Sequence, residues 1–257
     1  MGFTFGGISS QSMRIRARLK NWIASPSLRN FYVTVPGKDG AADFGCDSSE
    51  RIITVSCGVF PQRNFATLVS VLDEMAEHLD PSKGLQRLVL DDVPDRYFMA
   101  RLSDSVDCER LLRSAGSFDL KFICPDPNAY ALTDETYTIS SAGTYEIKRT
   151  KGNTFSEPVY FLKGVISSGS ATYVSIWTNG EELRVIGALT AGEILIIDSD
   201  KVTAKVINEQ GETLRNGLPC LQDLNFPILQ KGTNTVVVSA NGAIFTELKI
   251  QAMSRWR

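Results

Sequence analysis

The stretch Ser117-Phe118-Asp119-Leu120-Lys121-Phe122-Ile123-Cys124, followed by Pro125-Asp126-Pro127, decides the fold. Phe118, Leu120, Phe122 and Cys124 fall at every second position, with Asp119, Lys121 and Ile123 between them. Period two is the spacing of a strand with one buried face. The prolines that follow lack the amide hydrogen an interior ladder needs, so the strand ends there and a domain boundary is expected close after it. On this reading residues 1–132 form one domain and 133–257 a second.

Outward from that strand, the first half reads as more strands around one helix. Arg51–Val59 is β-branched and ends before Pro61, and Leu88–Leu90 and Tyr97–Leu102 are shorter runs of the same kind. Met13, Ile15, Ala17 and Leu19 alternate with Arg14, Arg16, Arg18 and Lys20, which predicts a strand with one basic face. Phe31–Val35 is β-rich and is ended by Pro36-Gly37-Lys38-Asp39-Gly40, a turn that opens a hairpin or a long loop from Pro36 to Ser49. One segment differs. Phe65, Leu68, Val69, Leu72, Met75, Ala76 and Leu79 recur at helical spacing, predicting a helix over about 64–80 with Asn64 as its N-cap and Asp80-Pro81 as its stop.

From Thr133 onward helical periodicity is absent. Pro158–Val165, Tyr173–Thr178, Leu183–Val185, Ile194–Asp198, Lys201–Ile207, Thr235–Ser239 and Ile244–Ala252 read as strands. Asn179-Gly180, Asn216-Gly217 and Asn241-Gly242 are the turn signals between them, because both residue types tolerate positive φ. The pattern predicts a two-sheet sandwich. The fold class is mainly β with one helix.

The composition leaves little room for chemistry. Among 257 residues there is one histidine, His78, so any Ser–His or Cys–His mechanism must use it, and its place near a helix end predicts a solvated side chain instead. Cys46, Cys57, Cys108, Cys124 and Cys220 are odd in number and widely spaced, without a zinc spacing, and read as mostly buried free thiols of a protein folded in a reducing compartment. Asp91, Asp92 and Asp95, and Asp198 with Asp200, lack a recognised calcium-loop spacing and suit turns. No glycine loop fits a phosphate, and a net charge of −2 gives no field for sequence-independent nucleic-acid binding. The start of the chain does not read as a secretory signal, and no stretch is long and apolar enough to span a membrane. No enzyme activity, cofactor or metal is expected. Among the aromatic residues of the second half, Trp177 beside Asn179-Gly180 is the candidate for stacking on a sugar ring, which supports an alternative reading as a carbohydrate-binding module for host cell-surface sugars.

Several segments together resemble the siphophage distal tail protein family. They are Phe3-Thr4-Phe5-Gly6-Gly7-Ile8-Ser9-Ser10 with the Met13 strand, Pro36-Gly37-Lys38-Asp39-Gly40, Asp91-Asp92-Val93-Pro94-Asp95-Arg96-Tyr97, and Gly116–Phe122 with Cys124-Pro125-Asp126-Pro127. Pro158, Leu195-Ile196-Ile197-Asp198, Phe226-Pro227-Ile228-Leu229 and Arg255-Trp256 follow in the same order. The resemblance implies a non-enzymatic, hexameric hub ring at the virion's tail tip, assembled in the host bacterial cytoplasm. It implies an N-terminal ring-forming β domain and a C-terminal galectin-like jelly-roll β-sandwich. Its partners would be the tail tube protein, a tail-associated baseplate protein and receptor-binding proteins, without membrane insertion or nucleic-acid sequence recognition. Arg14, Arg16, Arg18, Lys38 and Asp39 are the candidate ring-interface residues.

Overall fold

A computed structural model describes residues 2–106, 108–112, 115–169 and 171–257. The chain gathers into two compact units, one reaching to Leu132 and including Arg257, the other Thr133–Trp256.

The first unit runs β1 (Phe3–Phe5), β2 (Ile8–Ser9), β3 (Ile15–Leu19), β4 (Leu28–Val33), β5 (Ala42–Ser48), β6 (Arg51–Val59), α1 (Phe65–His78), β7 (Gln86–Leu90), β8 (Val93–Leu102), β9 (Glu109–Leu112), β10 (Ala115–Cys124) and β11 (Ala129–Ala131). Its main sheet has the order β2-β1-β7-β8-β10-β6-β3, with β9 added to β10 and β11 to β8. Every described pairing in it is antiparallel.

The period-two stretch forms β10 as expected. Phe118, Leu120, Phe122 and Cys124 are all buried. The rings of Phe3 and Phe5 on β1 lie 5.5 and 5.2 Å from that of Phe122 on β10. Two strands separate β1 from β10, and at ~4.8 Å per strand a flat sheet would hold them about 14 Å apart. The sheet therefore curls on itself around these aromatic rings.

Helix α1 keeps its expected cap: the Asn64 side chain accepts the Thr67 amide at 2.9 Å. Its buried stripe is Leu68, Val71 and Met75, continued by Leu79, whereas Phe65, Val69 and Ala76 are exposed. The expected stripe was thus turned to one side. Apolar residues flank the true one, and a helical period alone does not say which edge faces inward. His78 also departs from expectation. It is half-buried, with Nε2 2.8 Å from the Phe5 carbonyl and its ring edge-on to that of Phe5 at 5.9 Å. The helix ends against β1, so the residue before buried Leu79 meets the strand rather than water.

Of the hairpin and the long loop expected after Val35, the structure has the hairpin: a turn leads into β5, which pairs with β4 as a separate two-stranded ribbon. One further expectation is corrected. Pro94, read as part of a turn, lies inside β8, where the β7 ladder shifts register between Leu88 and Leu90 and gives it no paired residue. A proline is tolerated where no ladder amide is required.

The second unit runs β12 (Thr136–Ile139), β13 (Gly143–Arg149), β14 (Val159–Val165), β15 (Tyr173–Thr178), β16 (Glu181–Val185), β17 (Ile194–Asp198), β18 (Thr203–Ile207), β19 (Thr213–Asn216), β20 (Gly232–Asn241), β21 (Ile244–Gln251) and β22 (Arg255–Trp256). One sheet has the order β12-β21-β14-β17-β18-β19, the other β13-β20-β15-β16. They share one core. Tyr160, Leu162, Ile197 and Leu248 from the first sheet and Val174, Ile176, Leu183 and Val238 from the second belong to a single buried cluster. This is the expected two-sheet sandwich.

Asn179 and Gly180, at φ 53° and 92°, make the two-residue turn between β15 and β16. Asn216-Gly217 does not. Asn216 ends β19, and Gly217 has φ −93° and caps a short 3-10 turn, Leu218–Cys220. Space, not φ, calls for this glycine, because a Cβ there would lie 2.6 Å from Leu195 Cδ1 and 2.8 Å from the Lys205 amide nitrogen.

Candidate functional site

The ribbon of β4 and β5 has no counterpart elsewhere in the first unit. Every residue of β4 is exposed, and Leu28, Phe31, Tyr32, Val33, Val35 and Phe44 are its large apolar side chains. Phe44 is 69% and Tyr32 65% exposed. Along β4, Leu28 and Tyr32 share one side and Phe31 and Val33 the other, so both faces of the ribbon are apolar and open. Between Asn30–Cys46 and Tyr32–Asp43 the register shifts, and two residues of β5 oppose Phe31. Gly45, at φ 93°, takes up this bulge, its amide held by the Asp43 carboxylate at 2.9 Å. A two-stranded ribbon is marginal alone in water, and contiguous exposed apolar surface marks an interaction site. Lys38 and Asp39 are exposed in the turn at its tip, where the Lys38 amide donates to the Val35 carbonyl at 3.1 Å.

The basic strand is only partly as expected. Arg14 lies in the turn before β3 with φ 60°, its carbonyl accepting the Phe60 amide, so it does not join the strand's outer row. Arg16 and Arg18 do project from β3, beside buried Ile15 and Ala17. The Arg16 guanidinium stacks 4.6 Å from the Phe60 ring centre. Lys20 pairs with Asp119 at 2.7 Å, and the Ser56 hydroxyl donates to the other oxygen of that carboxylate, also at 2.7 Å. These hydrogen bonds hold the Asp119 carboxyl below its ordinary range. The face is therefore a mixed ionic surface rather than a basic stripe.

In the second unit Trp177 stands on the outer face of the four-stranded sheet, 39% exposed, over a shallow hollow lined by Asn179, Gly180, Thr235 and Val237. Tyr160 is wholly buried while its neighbour Phe161 faces the other way, as strand alternation requires.

The other chemical candidates are held in packing and turns. Cys57, Cys124 and Cys220 are buried, and burial pushes the thiols of Cys57 and Cys124 up to about 12, far from a reactive thiolate. Cys46 is exposed on β5 and Cys108 is half-buried. Asp198 caps its turn, accepting the Lys201 amide at 3.1 Å and pairing with Lys201 Nζ at 2.7 Å. Asp200 is raised by burial first, then by the nearby Glu157 carboxylate. Asp95 pairs with Arg96 at 2.9 Å. Among the described residues no group of three or more His, Cys, Asp or Glu side chains is placed to hold a metal ion, and no helix is long and apolar enough to cross a membrane.

Sequence reasoning missed Arg51, which is buried at the start of β6 and donates to the carbonyls of Pro127 at 2.8 Å and Ile23 at 2.6 Å. It ties the segment after β10 to the one after β3. Nothing local signals such a role, since both partners are backbone atoms distant in sequence. The apolar ribbon was missed too, although Phe31-Tyr32-Val33 carries a readable sign: three successive large apolar residues leave a strand no polar side.

Residues 12–124 match the family model described as the phage tail protein RIFT-related domain. No curated protein sequence matches the chain. Among solved structures, the SPP1 Dit (gp 19.1) protein, described as a paradigm of the hub adsorption apparatus in phages infecting Gram-positive hosts, aligns with TM-score 0.75 at 15% identity over 100% of this chain and 99% of its own. At that identity the likeness is one of fold. A chain of the phage P2 baseplate in its activated conformation with Ca aligns with TM-score 0.47 at 11% identity over 97% of each chain, too low to add to the argument. Residues 12–124 thus match the phage tail protein RIFT-related domain, and the chain as a whole has the fold of the SPP1 Dit protein.

Proposed function

We propose that this protein is the hub ring of a long-tailed phage's tail tip: six copies close a ring that joins the tail tube protein to the tail-associated baseplate protein. The second unit of each copy is a platform for receptor-binding proteins. The ring belongs to the virion and is assembled in the host bacterial cytoplasm.

The two-sided apolar ribbon of β4 and β5 carries this reading. Its side chains are not covered by their own unit, and a neighbouring copy supplies cover at every position of a ring. A ring is built from heterologous contacts, in which the ribbon of one copy meets a different surface of the next. The ionic outer row of β3, with Arg16 and Arg18, and the ribbon tip, with Lys38 and Asp39, are the polar surfaces that would set the register of that contact; Arg14, in the turn before β3, is a third basic group at that border. The scarcity of activated side chains fits a scaffold.

Mass measurement and negative-stain microscopy test it. A species of six times the 28.2 kDa chain mass, with sixfold rings in projection, is expected. A protein that stays monomeric at every concentration, alone and with the tail tube protein, would overturn it.

A further inference from the structure

The outer face of the four-stranded sheet has a chemistry that ring assembly does not use. Strand register places Trp177 directly opposite Glu182 on β16 and Val237 on β20, and Ser175 opposite Arg184 and Ser239. Opposed residues share a face, with Cβ atoms about 5 Å apart. Trp177, Ser175, Glu182 and Arg184 therefore form one compact patch, while Val174, Ile176 and Thr178 point into the core.

Three of these side chains are locked together. The Glu182 carboxylate accepts, on one oxygen, both the Ser175 hydroxyl and Arg184 Nε, the latter at 2.7 Å. The Arg184 guanidinium lies 4.5 Å from the Tyr173 ring centre. Among the described residues the pair uses one carboxylate oxygen and one guanidinium nitrogen. The second oxygen and the two terminal nitrogens remain for an outside partner, in a planar donor–acceptor fork whose geometry is already fixed. On its other side, toward β20, Trp177 lines an open hollow with Asn179, Gly180, Thr235 and Val237, which the fork residues do not line. A Cβ at Gly180 would meet nothing within 4 Å.

We infer that this patch is a binding site for a neutral pyranose sugar, which stacks a C–H face on Trp177 and hydrogen-bonds adjacent hydroxyls to Glu182 and Arg184. Charge selects this ligand class. The charged residues that the register puts on this face are Glu146, Lys148, Glu182 and Arg184, two of each sign, so the face offers no net attraction to a polyanion. A protein partner is also a poor fit, since Trp177 and Val237 alone give far less apolar area than a stable interface buries. A sugar ring matches both parts. It carries apolar C–H surface on one side and paired donor–acceptor hydroxyls at its rim, and a rigid indole loses little entropy on contact. The inference does not rest on the hub ring, which uses the first unit.

Saturation-transfer NMR on the full chain tests it, with methyl β-D-glucopyranoside, methyl β-D-galactopyranoside and N-acetylglucosamine as separate probes. Transfer to the ring C–H protons of at least one probe is expected, with a dissociation constant on the order of 1 mM. Trp177→Ala and Glu182→Gln should each weaken it about tenfold or more, and Trp177→Phe should retain part of it, at unchanged melting temperature. Absence of transfer from all three probes well above millimolar concentration would overturn the site. So would transfer that survives unchanged in Trp177→Ala, which would place the sugar elsewhere. Ring mass is read separately, so failure of the sugar site and failure of the hub reading are distinguishable.

Discussion

Replacing Tyr32 and Phe44 by serine should dismantle the assembly and leave the subunit intact. An aromatic side chain presents on the order of 200 Å², and with Phe44 69% and Tyr32 65% exposed, about 130 Å² of each is free to be covered. At ~25 cal/mol per Å², full cover of both would contribute about 6 kcal/mol to each subunit contact. Interfaces seldom cover such side chains completely, and half of that figure, about 3 kcal/mol, weakens each contact ~100-fold. A closed ring repeats the contact around its circumference, so the population shifts to monomer. The same exposure predicts that the monomer's own stability changes by less than ~0.5 kcal/mol, since neither side chain packs in its core. Sedimentation velocity gives the mass and thermal unfolding gives the control. A double variant that keeps the wild-type ring mass would refute the role of the ribbon. A fall of several degrees in melting temperature would show instead that the ribbon supports its own fold.

Thiol labelling of the folded single subunit should modify Cys46 rapidly and leave Cys57 and Cys124, both pushed up to about 12 by burial, unreacted until denaturant is added. Prompt labelling of either buried thiol would contradict the packing of β6 and β10. Arg51→Met removes the donors to the Pro127 and Ile23 carbonyls and should cost about 2 kcal/mol in urea unfolding; a change under ~0.5 kcal/mol would show that the tie is dispensable. The Arg215 hydrogen bond lowers the Glu193 carboxyl to about 2, so its stabilisation is present above the ordinary glutamate range near 4.5 and is lost as pH falls from there toward 2. Discounted for the partly exposed Arg215, the pair contributes about 1 kcal/mol, and Glu193→Gln should remove that much stability at pH 7 and almost none at pH 2. Equal losses at both pH values would assign the effect to packing.

What could be read from the sequence was local. Arg51–Val59 and Tyr173–Thr178 have the predicted ends because alternation and β-branching act residue by residue, and α1 starts at its cap because Asn64 needs only the Thr67 amide three residues on. What depends on distant groups was not legible. β13 escaped notice because its inward row is Tyr145, Ile147 and Arg149, and a buried arginine at an inward position imitates a polar face. Arg14 looked like a strand residue, but the turn bonds from Arg14 and Ile15 to Gln11 and Ser10 put it at positive φ. Of the surface proposed for sugar, Trp177 was visible as a type of residue, whereas the Glu182–Arg184–Ser175 fork exists only through the pairing of β15 with β16. His78 was placed in water by a helix-end argument that could not foresee β1.

The composition of β4 bears on the ring proposed for this protein. Strands of this unit that face water on one side show it: β6 buries Ile53, Val55 and Cys57 and turns Thr54 and Ser56 outward. β4, with Phe31-Tyr32-Val33, has no polar side of that kind, and near-continuous apolar runs belong to strands covered on both faces. The unit covers neither face. A twofold pairing of ribbon on ribbon would bury one face of each and leave the other in water. Seating each ribbon in a cleft of the next copy would cover both faces, and where the rotation between copies closes, repetition of that single contact would give the proposed ring without a second kind of interface.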